Sequence, residues 1–213
     1  DTAKILYLIY IFITVWEVII LLICKLPLFE SLTMTFGSVG TGGFGIKNSS
    51  CADYSATVQN VITIFMILSG INYSAYFCIL CKQFKEAFSI EEVKVYLLII
   101  FSAVALISFN TFSIYGSAEE TIRHAFFQVG SIITTTGYAT TDFNTWPMLS
   151  KTILVMLMFI GACAGSTGGG IKVSRILMLA KTVKKEIMIY IHPNSVKKIK
   201  MEGKVVNHET LRA

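Results

Sequence analysis

The chain has 213 residues, of which 54% are hydrophobic and 15% are charged. Soluble domains usually have about 25% charged residues, so the composition argues against a soluble class and indicates a protein embedded in membrane lipid. The formal net charge is +5, but the lysines are not interleaved with aromatic residues as they are in single-strand nucleic-acid grooves. Nucleic acid is therefore not expected as a partner.

Four apolar stretches follow one another along the chain. They are Ile5–Cys24, Thr57–Leu80, Val95–Phe112 and Lys151–Gly161, the last of which continues into a glycine-rich segment. A helix of about 20 apolar residues crosses the ~30 Å hydrocarbon core of a bilayer. The pattern therefore predicts an all-α membrane protein. Lysines and arginines concentrate after the second and fourth stretches, which predicts that these two connections are cytoplasmic.

Two segments between the apolar stretches resemble each other. Glu30–Phe44 aligns with His124–Tyr138 without a gap, and both end in the string Thr-x-Gly-aromatic. An apolar stretch precedes each copy and another follows it. The repeated unit is therefore an outer helix, a short amphipathic helix, an irregular loop and an inner helix, an arrangement of internal repeats that membrane transporters often use.

The alignment continues into the inner helices. After a deletion of three residues, the sequence FMILSGINYS (65–74) falls on MLMFIGACAG (156–165). We predict one helix–pore-loop–helix unit over residues 1–90 and a second, with a broken inner helix, over residues 91–192. Residues 193–213 are predicted to form a cytoplasmic connection to a further repeat.

The short helix of each unit leads into a loop rich in glycine and threonine. Leu28–Phe36 and Glu119–Ile132 are too short or too polar to span a bilayer, and they precede Ser38–Gly45 and Thr134–Ala139. Irregular backbone at membrane depth is tolerated only where protein buries it or where it lines a water-filled path. Backbone carbonyls and threonine hydroxyls can replace the hydration shell of potassium, and glycine permits the required turns. The loops are either ion-selective filters or two re-entrant turns, and their recurrence favours filters.

The segment Gly161–Gly170 holds five glycines in ten residues. A phosphate-binding loop is excluded because Ile171 stands where lysine is required. Gly161, Gly165 and Gly169 have the spacing of a helix-packing ridge. That spacing does not explain three adjacent glycines, and five glycines cost about 5 kcal/mol of helix propensity relative to alanine. A broken helix beneath the filter is the favoured interpretation, with a packing ridge left open on its N-terminal side.

Several motifs resemble the membrane subunits of the Trk/Ktr/HKT superfamily of potassium transporters, and the bacterial Trk type most closely. These motifs are SVGTGGFGIKN (38–48), ILSGINY (67–73), SIITTTGYATTDFNTWP (131–147), GACAGSTGGGIKVSRIL (161–177) and HPNSVKKIKMEGKVV (192–206). Members of that superfamily have four such repeats around one pore. The resemblance implies that this chain is the second and third repeat, which is half of a potassium-channel-like pore. The first and fourth repeats of the same polypeptide would then be partners that lie outside this chain.

The resemblance also implies which residues form the filter and the gate. The implied filter residues are Thr41, Gly42, Gly43, Phe44 and Gly45 in the first loop and Thr135, Thr136, Gly137, Tyr138 and Ala139 in the second. Those implied to bind potassium are Thr41, Gly42, Gly43, Thr135, Thr136 and Gly137. The implied gating loop comprises Ala164, Gly165, Ser166, Thr167, Gly168, Gly169 and Gly170, with Lys172 following as a pore contact or, more often, a cytoplasmic anchor. The two loops differ from the T-V-G-Y-G pattern of potassium channels at four positions. The sequence therefore leaves open whether some sodium also passes.

The function implied by the resemblance is potassium uptake across the plasma membrane, the inner membrane of bacteria. No enzymatic activity and no cofactor are expected, since potassium is the transported ion. The resemblance also implies a homodimer and a cytoplasmic nucleotide-binding regulatory subunit. Two alternatives belong to other classes. An intramembrane enzyme would need a base near Ser166, where the sequence offers no histidine, and a non-conducting helical scaffold would not need the repeated loops.

One charged residue lies deep in the first apolar stretch, at Glu17. Ionisable residues inside a membrane are usually functional. The sequence leaves two interpretations of Glu17 equally open: a functional group, or a structural partner for a helix of the repeats outside this chain.

Overall fold

The computed structural model describes residues 2–192, 200–201 and 204–205. Within these residues the chain forms nine α-helices, one 3-10 turn and two short strands. The helices are α1 (Thr2–Ile23), α2 (Leu28–Val39), α3 (Ala56–Ser69), α4 (Tyr73–Leu80), α5 (Phe84–Ser89), α6 (Glu91–Tyr115), α7 (Ala118–Ile133), α8 (Met148–Phe159) and α9 (Val173–Ile191), with the 3-10 turn at Phe143–Thr145. The strands β1 (Lys200–Met201) and β2 (Lys204–Val205) pair antiparallel. The rest of the predicted connection over 193–213 lies outside the described residues.

Two of the described helices are long and apolar enough to cross a membrane. They cover Lys4–Ile23 in α1 and Glu91–Tyr115 in α6. Helices α3 and α4 have the composition of a third span, but they are bent by 90° relative to each other. The prediction of one continuous helix over Thr57–Leu80 is therefore wrong, because the chain leaves helical geometry after Ser69. The second inner helix, which is predicted to be broken, leaves helical geometry after Phe159.

Each break contains, at its first or second residue, a glycine that another group approaches closely. A β-carbon on Gly70 would lie 2.3 Å from the Tyr96 hydroxyl, and one on Gly161 would lie 2.0 Å from the carbonyl oxygen of Gly169. The two glycines occupy the same position in the alignment of the inner helices. Beyond the first break, Asn72 caps α4 by accepting a hydrogen bond from Ser74 N at 2.9 Å, a preferred residue for that position.

Local signals fix the ends of the helices that carry the loops. Helix α2 begins directly after Pro27. Helix α7 begins after Ser117, whose hydroxyl accepts a hydrogen bond from Glu120 N at 3.3 Å, as expected of an N-cap serine. Between α6 and α7 the chain turns at Gly116, whose φ is 70°, a left-handed conformation that glycine adopts readily. The two predicted short helices are thus confirmed as α2 and α7, each slightly longer than predicted.

Helix α7 joins the two halves of the described structure. On one side its Phe127 is buried with Met34 of α2 and Ile62 of α3. On the other side its Val129 belongs to the larger core cluster around Ile100 of α6. Large apolar side chains also cover the outside of the long helices, where they suit contact with hydrocarbon rather than water. The packing places the loop after α7 beside the loop after α2.

Candidate functional site

The two predicted filter loops follow the same backbone path. Thr41 and Gly43 have positive φ angles of 52° and 67°, and the aligned Thr135 and Gly137 have φ angles of 60° and 91°. The residue between each pair is not left-handed. In a segment where the handedness alternates from one residue to the next, successive carbonyls turn toward one side. Such an arrangement can offer a row of oxygens to a cation.

The backbone hydrogen bonds of the loops match in the same register. Gly42 N and Gly43 N both donate to Gly37 O, at 2.9 and 3.1 Å. The aligned residues of the second loop both donate to Ser131 O, at 2.9 and 3.3 Å. These bonds turn the chain back at the C-terminal ends of α2 and α7. The hydrogen bonds and the sequence alignment therefore agree on which residues correspond.

The two loops contact each other through backbone and through one tyrosine. A β-carbon on Gly43 would lie only 1.9 Å from Thr136 O, so the close approach requires glycine. The side chain of Tyr138 is 2% exposed, and its hydroxyl donates to Phe44 O at 2.9 Å. A β-carbon on Gly45 would be 3.6 Å from the ring of this tyrosine. The aligned side chain of Phe44, in contrast, is 80% exposed.

A polar network connects the loops to helices α3 and α7. Cys51 N donates to Ala139 O at 2.8 Å, which joins the connection after the first loop to the last residue of the second. Gln59 of α3 donates to Cys51 O at 2.9 Å and accepts a hydrogen bond from Arg123 of α7. Burial raises the pKa of the Cys51 thiol to about 12, so the thiol stays protonated at neutral pH. Gln59 and Arg123 are not among the predicted site residues, because a single polar residue within a helix carries no distinctive signal in the sequence.

Glu17 contacts the residue that precedes the first loop. Its side chain is fully buried between helices of this chain, and its Oε1 accepts a hydrogen bond from Ser38 Oγ at 2.6 Å. Ser38 lies in the last turn of α2, directly before the loop. Its other carboxylate oxygen, Oε2, is buried and has no hydrogen-bond partner among the described residues. Both interpretations of Glu17 stay predictions.

The glycine-rich segment lies outside helical structure. Helix α8 ends at Phe159 and α9 begins at Val173, so the predicted departure of Gly168–Gly170 from helical geometry is confirmed. The alternative of a packing ridge on the N-terminal side is wrong, because Gly161 and the glycines at 165 and 169 all lie in the loop. Gly161 instead permits a backbone contact, in which its N–H donates to Ile171 O at 2.8 Å and joins the two ends of the loop.

The loop between α8 and α9 contacts the first threonine of both predicted filters. Thr41 Oγ1 donates to Thr167 O at 3.0 Å, and Gly169 N donates to Thr135 Oγ1 at 2.7 Å. One segment therefore touches both loops at equivalent positions. The structure thus brings the predicted gate residues and the threonine ends of the predicted filters together.

Other contacts hold this loop on the break between α3 and α4. Cys163 N donates to Gly70 O at 3.0 Å, and Tyr73 N donates to Gly165 O at 3.1 Å. Lys172 Nζ donates to Gly168 O, so this lysine contacts the loop itself.

Two hydroxyls of the loop donate to backbone carbonyls. Ser166 Oγ donates to Cys163 O at 2.6 Å, and Thr167 Oγ1 donates to Ser69 O at 3.3 Å. Both hydroxyls therefore use their protons in stabilising the loop.

Comparison with known proteins identifies the family of the chain. A model of the family TrkH, described as a cation transport protein, matches residues 1–213. The chain belongs to the TrkH family. It is 35% identical over 217 residues to the Trk system potassium uptake protein TrkH of Salmonella typhimurium, covering 100% of this chain and 45% of that protein. The protein of the same name from Escherichia coli strain K12 gives the same identity and coverage.

A solved structure is similar over nearly the whole chain. The potassium transporter TrkH from Vibrio parahaemolyticus superposes with a TM-score of 0.92 and 28% sequence identity, over 99% of this chain and 46% of that one. The chain thus spans less than half the length of these TrkH relatives. Together with the apolar helices, the match confirms the predicted superfamily, the nearly all-helical membrane fold and the location in the plasma membrane. The division at residues 90 and 192 and the roles of the site residues stay predictions.

Proposed function

We propose that this chain forms half of a potassium-uptake pore in the bacterial inner membrane. The observation that carries the proposal is the pair of adjoining loops with left-handed residues at matched positions, each at the end of a helix too short to span a bilayer. The relatives that match the whole chain are named for potassium uptake, which supports the same ion here. The first and fourth repeats of the complete protein would supply the other half of the ring.

Potassium would bind to backbone oxygen in this pore. The carbonyls of residues 41–43 and 135–137 replace the water around the ion, and neither loop places a carboxylate among them. Helices α2 and α7 end at the loops, so the partial negative charge of their C-terminal ends favours a cation there. Gly42 and Thr136 stand where strict potassium channels have valine. The proposed filter therefore prefers potassium over sodium less strictly than those channels do.

The glycine-rich loop would act as the gate. Residues 164–170 lie against the threonine end of both filters through Thr167 and Gly169, where they obstruct the path. Glycine gives this loop many accessible conformations, so the loop can move aside without unfolding a membrane helix. The basic helix α9 follows directly, and a cytoplasmic nucleotide-binding subunit acting on a homodimer would control the loop by moving α9.

Flux through the complete protein in liposomes tests the proposal. We expect potassium flux to exceed sodium flux under matched gradients, and deletion of residues 164–169 to raise potassium flux and weaken regulation while leaving ion preference unchanged. Liposomes with the same amount of lipid and no protein are the control. Absence of potassium flux from correctly inserted protein would contradict the pore, and unchanged flux in an inserted deletion variant would contradict the gate.

A further inference from the structure

A buried carboxylate connects the two ends of the glycine-rich loop. Glu92 lies in the first turn of α6, and its side chain is 3% exposed. Its Oε1 accepts a hydrogen bond from Ala164 N at 2.7 Å and another from Ser174 N at 3.0 Å. Ala164 lies near the start of the loop, and Ser174 lies in the first turn of α9, just beyond its end. One oxygen atom therefore fixes both ends of the loop to α6.

The start of α9 needs such an acceptor. The N-cap residue Lys172 makes no side-chain capping bond, and the first N–H groups of a helix have no acceptor within the helix. These groups carry partial positive charge, which a carboxylate compensates well. Glu92 therefore serves as the cap of a helix distant from it in sequence. Because hydrogen bonds to a charged acceptor are about twice as strong as neutral ones, the contact is stronger than an ordinary loop contact.

The neighbouring glutamate gives a natural comparison. Glu91 pairs with Lys181 of α9, so both glutamates join α6 to α9. The side chain of Glu91 is 44% exposed, however, and it does not reach the loop. Exposed ion pairs contribute little to stability. Of these two glutamates, Glu92 is the one whose described hydrogen bonds join both the loop and the start of α9 to α6.

We propose that Glu92 is a positioning residue that holds the glycine-rich loop against the two filters until α9 moves. Displacement of α9 from α6 breaks the bond to Ser174 N. Because the loop continues directly into α9, the same displacement pulls Ala164 N away from the carboxylate, so the movement of the helix and the release of the loop are coupled. This inference rests on the proposed gating function, and it names the contact through which a cytoplasmic subunit would act on the gate.

Hydrogen exchange in the complete protein, paired with unstimulated potassium flux, tests the inference. Glu92→Ala removes the acceptor of two buried N–H groups, so we expect exchange in peptides covering 160–176 and unstimulated flux both to rise roughly tenfold. Glu92→Gln keeps a carbonyl acceptor without charge and is expected to show a smaller rise in both. Glu91→Ala is the matched control, expected to leave both at the wild-type level.

The outcomes distinguish the positioning role of Glu92 from the proposed role of the loop as a gate. Wild-type exchange at 160–176 in both Glu92 variants would overturn the positioning role, as would an equal effect of Glu91→Ala. Faster exchange with unchanged flux would overturn the proposed gate and the release mechanism, although the contact would stand. Should Glu92→Ala fail to insert, Glu92→Gln decides the question, since its carboxamide has nearly the same shape. A rise confined to residues 160–176, with exchange elsewhere at wild-type rates, supports the inference over a general loss of stability.

Discussion

The two predicted filter loops share a backbone path but differ in what stabilises it. In the second loop side chains do so: Ser131 Oγ donates to Tyr138 O at 2.6 Å, and the hydroxyls of Thr134 and Thr136 are 2.8 Å apart. The aligned positions 37, 40 and 42 of the first loop are all glycine. The first loop therefore cannot make these bonds. Its path depends on backbone contacts, on the bonds of Ser38 and Thr41 to other segments, and on its neighbour.

The glycines of the first loop make room for the second. A β-carbon on Gly37 would lie 1.9 Å from the hydroxyl of Tyr138. The same hydroxyl donates to Phe44 O, so the second loop occupies space beside the first and supports its end. Aligned positions of the two loops therefore need not tolerate the same substitutions. The second loop is expected to be the more self-sufficient of the two.

Of the three substitutions that test this difference between the loops, Gly43→Ala should reduce the stability of the protein most. The new methyl group would collide with the backbone at Thr136 O, and the residue would also be held at a φ of 67°. We expect a loss of roughly 3 kcal/mol or more of stability, at the high end of single substitutions, seen as a lower unfolding temperature in detergent and less protein in the membrane. Wild-type stability of this variant would contradict the close contact between the loops.

Gly137→Ala tests the aligned position of the second loop and is the matched control. Its φ is 91°, yet no heavy atom lies within 4 Å of the added β-carbon. Only the left-handed backbone then opposes alanine, at a cost of roughly 1–2 kcal/mol. The unfolding temperature should fall less than in Gly43→Ala. Equal losses in the two variants would show that the loops do not differ in the way described.

Tyr138→Phe should have the smallest effect of the three. It removes the donor to Phe44 O while keeping the buried ring, so the expected loss of stability is about 1 kcal/mol. Tyr7→Phe is the control, since the Tyr7 side chain lies exposed on α1 and its change should leave the unfolding temperature unaltered. A Tyr138→Phe variant as stable as this control would mean that the first loop needs no support from the second.

Much of the fold could be predicted because its signals are local. Pro27, the threonine–glycine strings and the three adjacent glycines at 168–170 each restrict the backbone where they stand. The break after Ser69 is not predicted because the residues around it form one apolar run. Its signals are the alignment of Gly70 with Gly161 and the N-cap residue Asn72.

Long-range contacts in the site could not be predicted. Glu92 meets the N–H groups of Ala164 and Ser174 only once α6 and α9 have packed together. The sequence around Glu92 shows an acidic first turn, which many helices have.

The most direct measurement is the position of a permeant heavy cation, such as rubidium, in crystals of the complete protein. We predict anomalous density between the two loops, within coordinating distance of the carbonyl oxygens of residues 41–43 and 135–137. A protein that conducts rubidium, yet places its density away from these carbonyls, would contradict the claim that the two loops line one ion path.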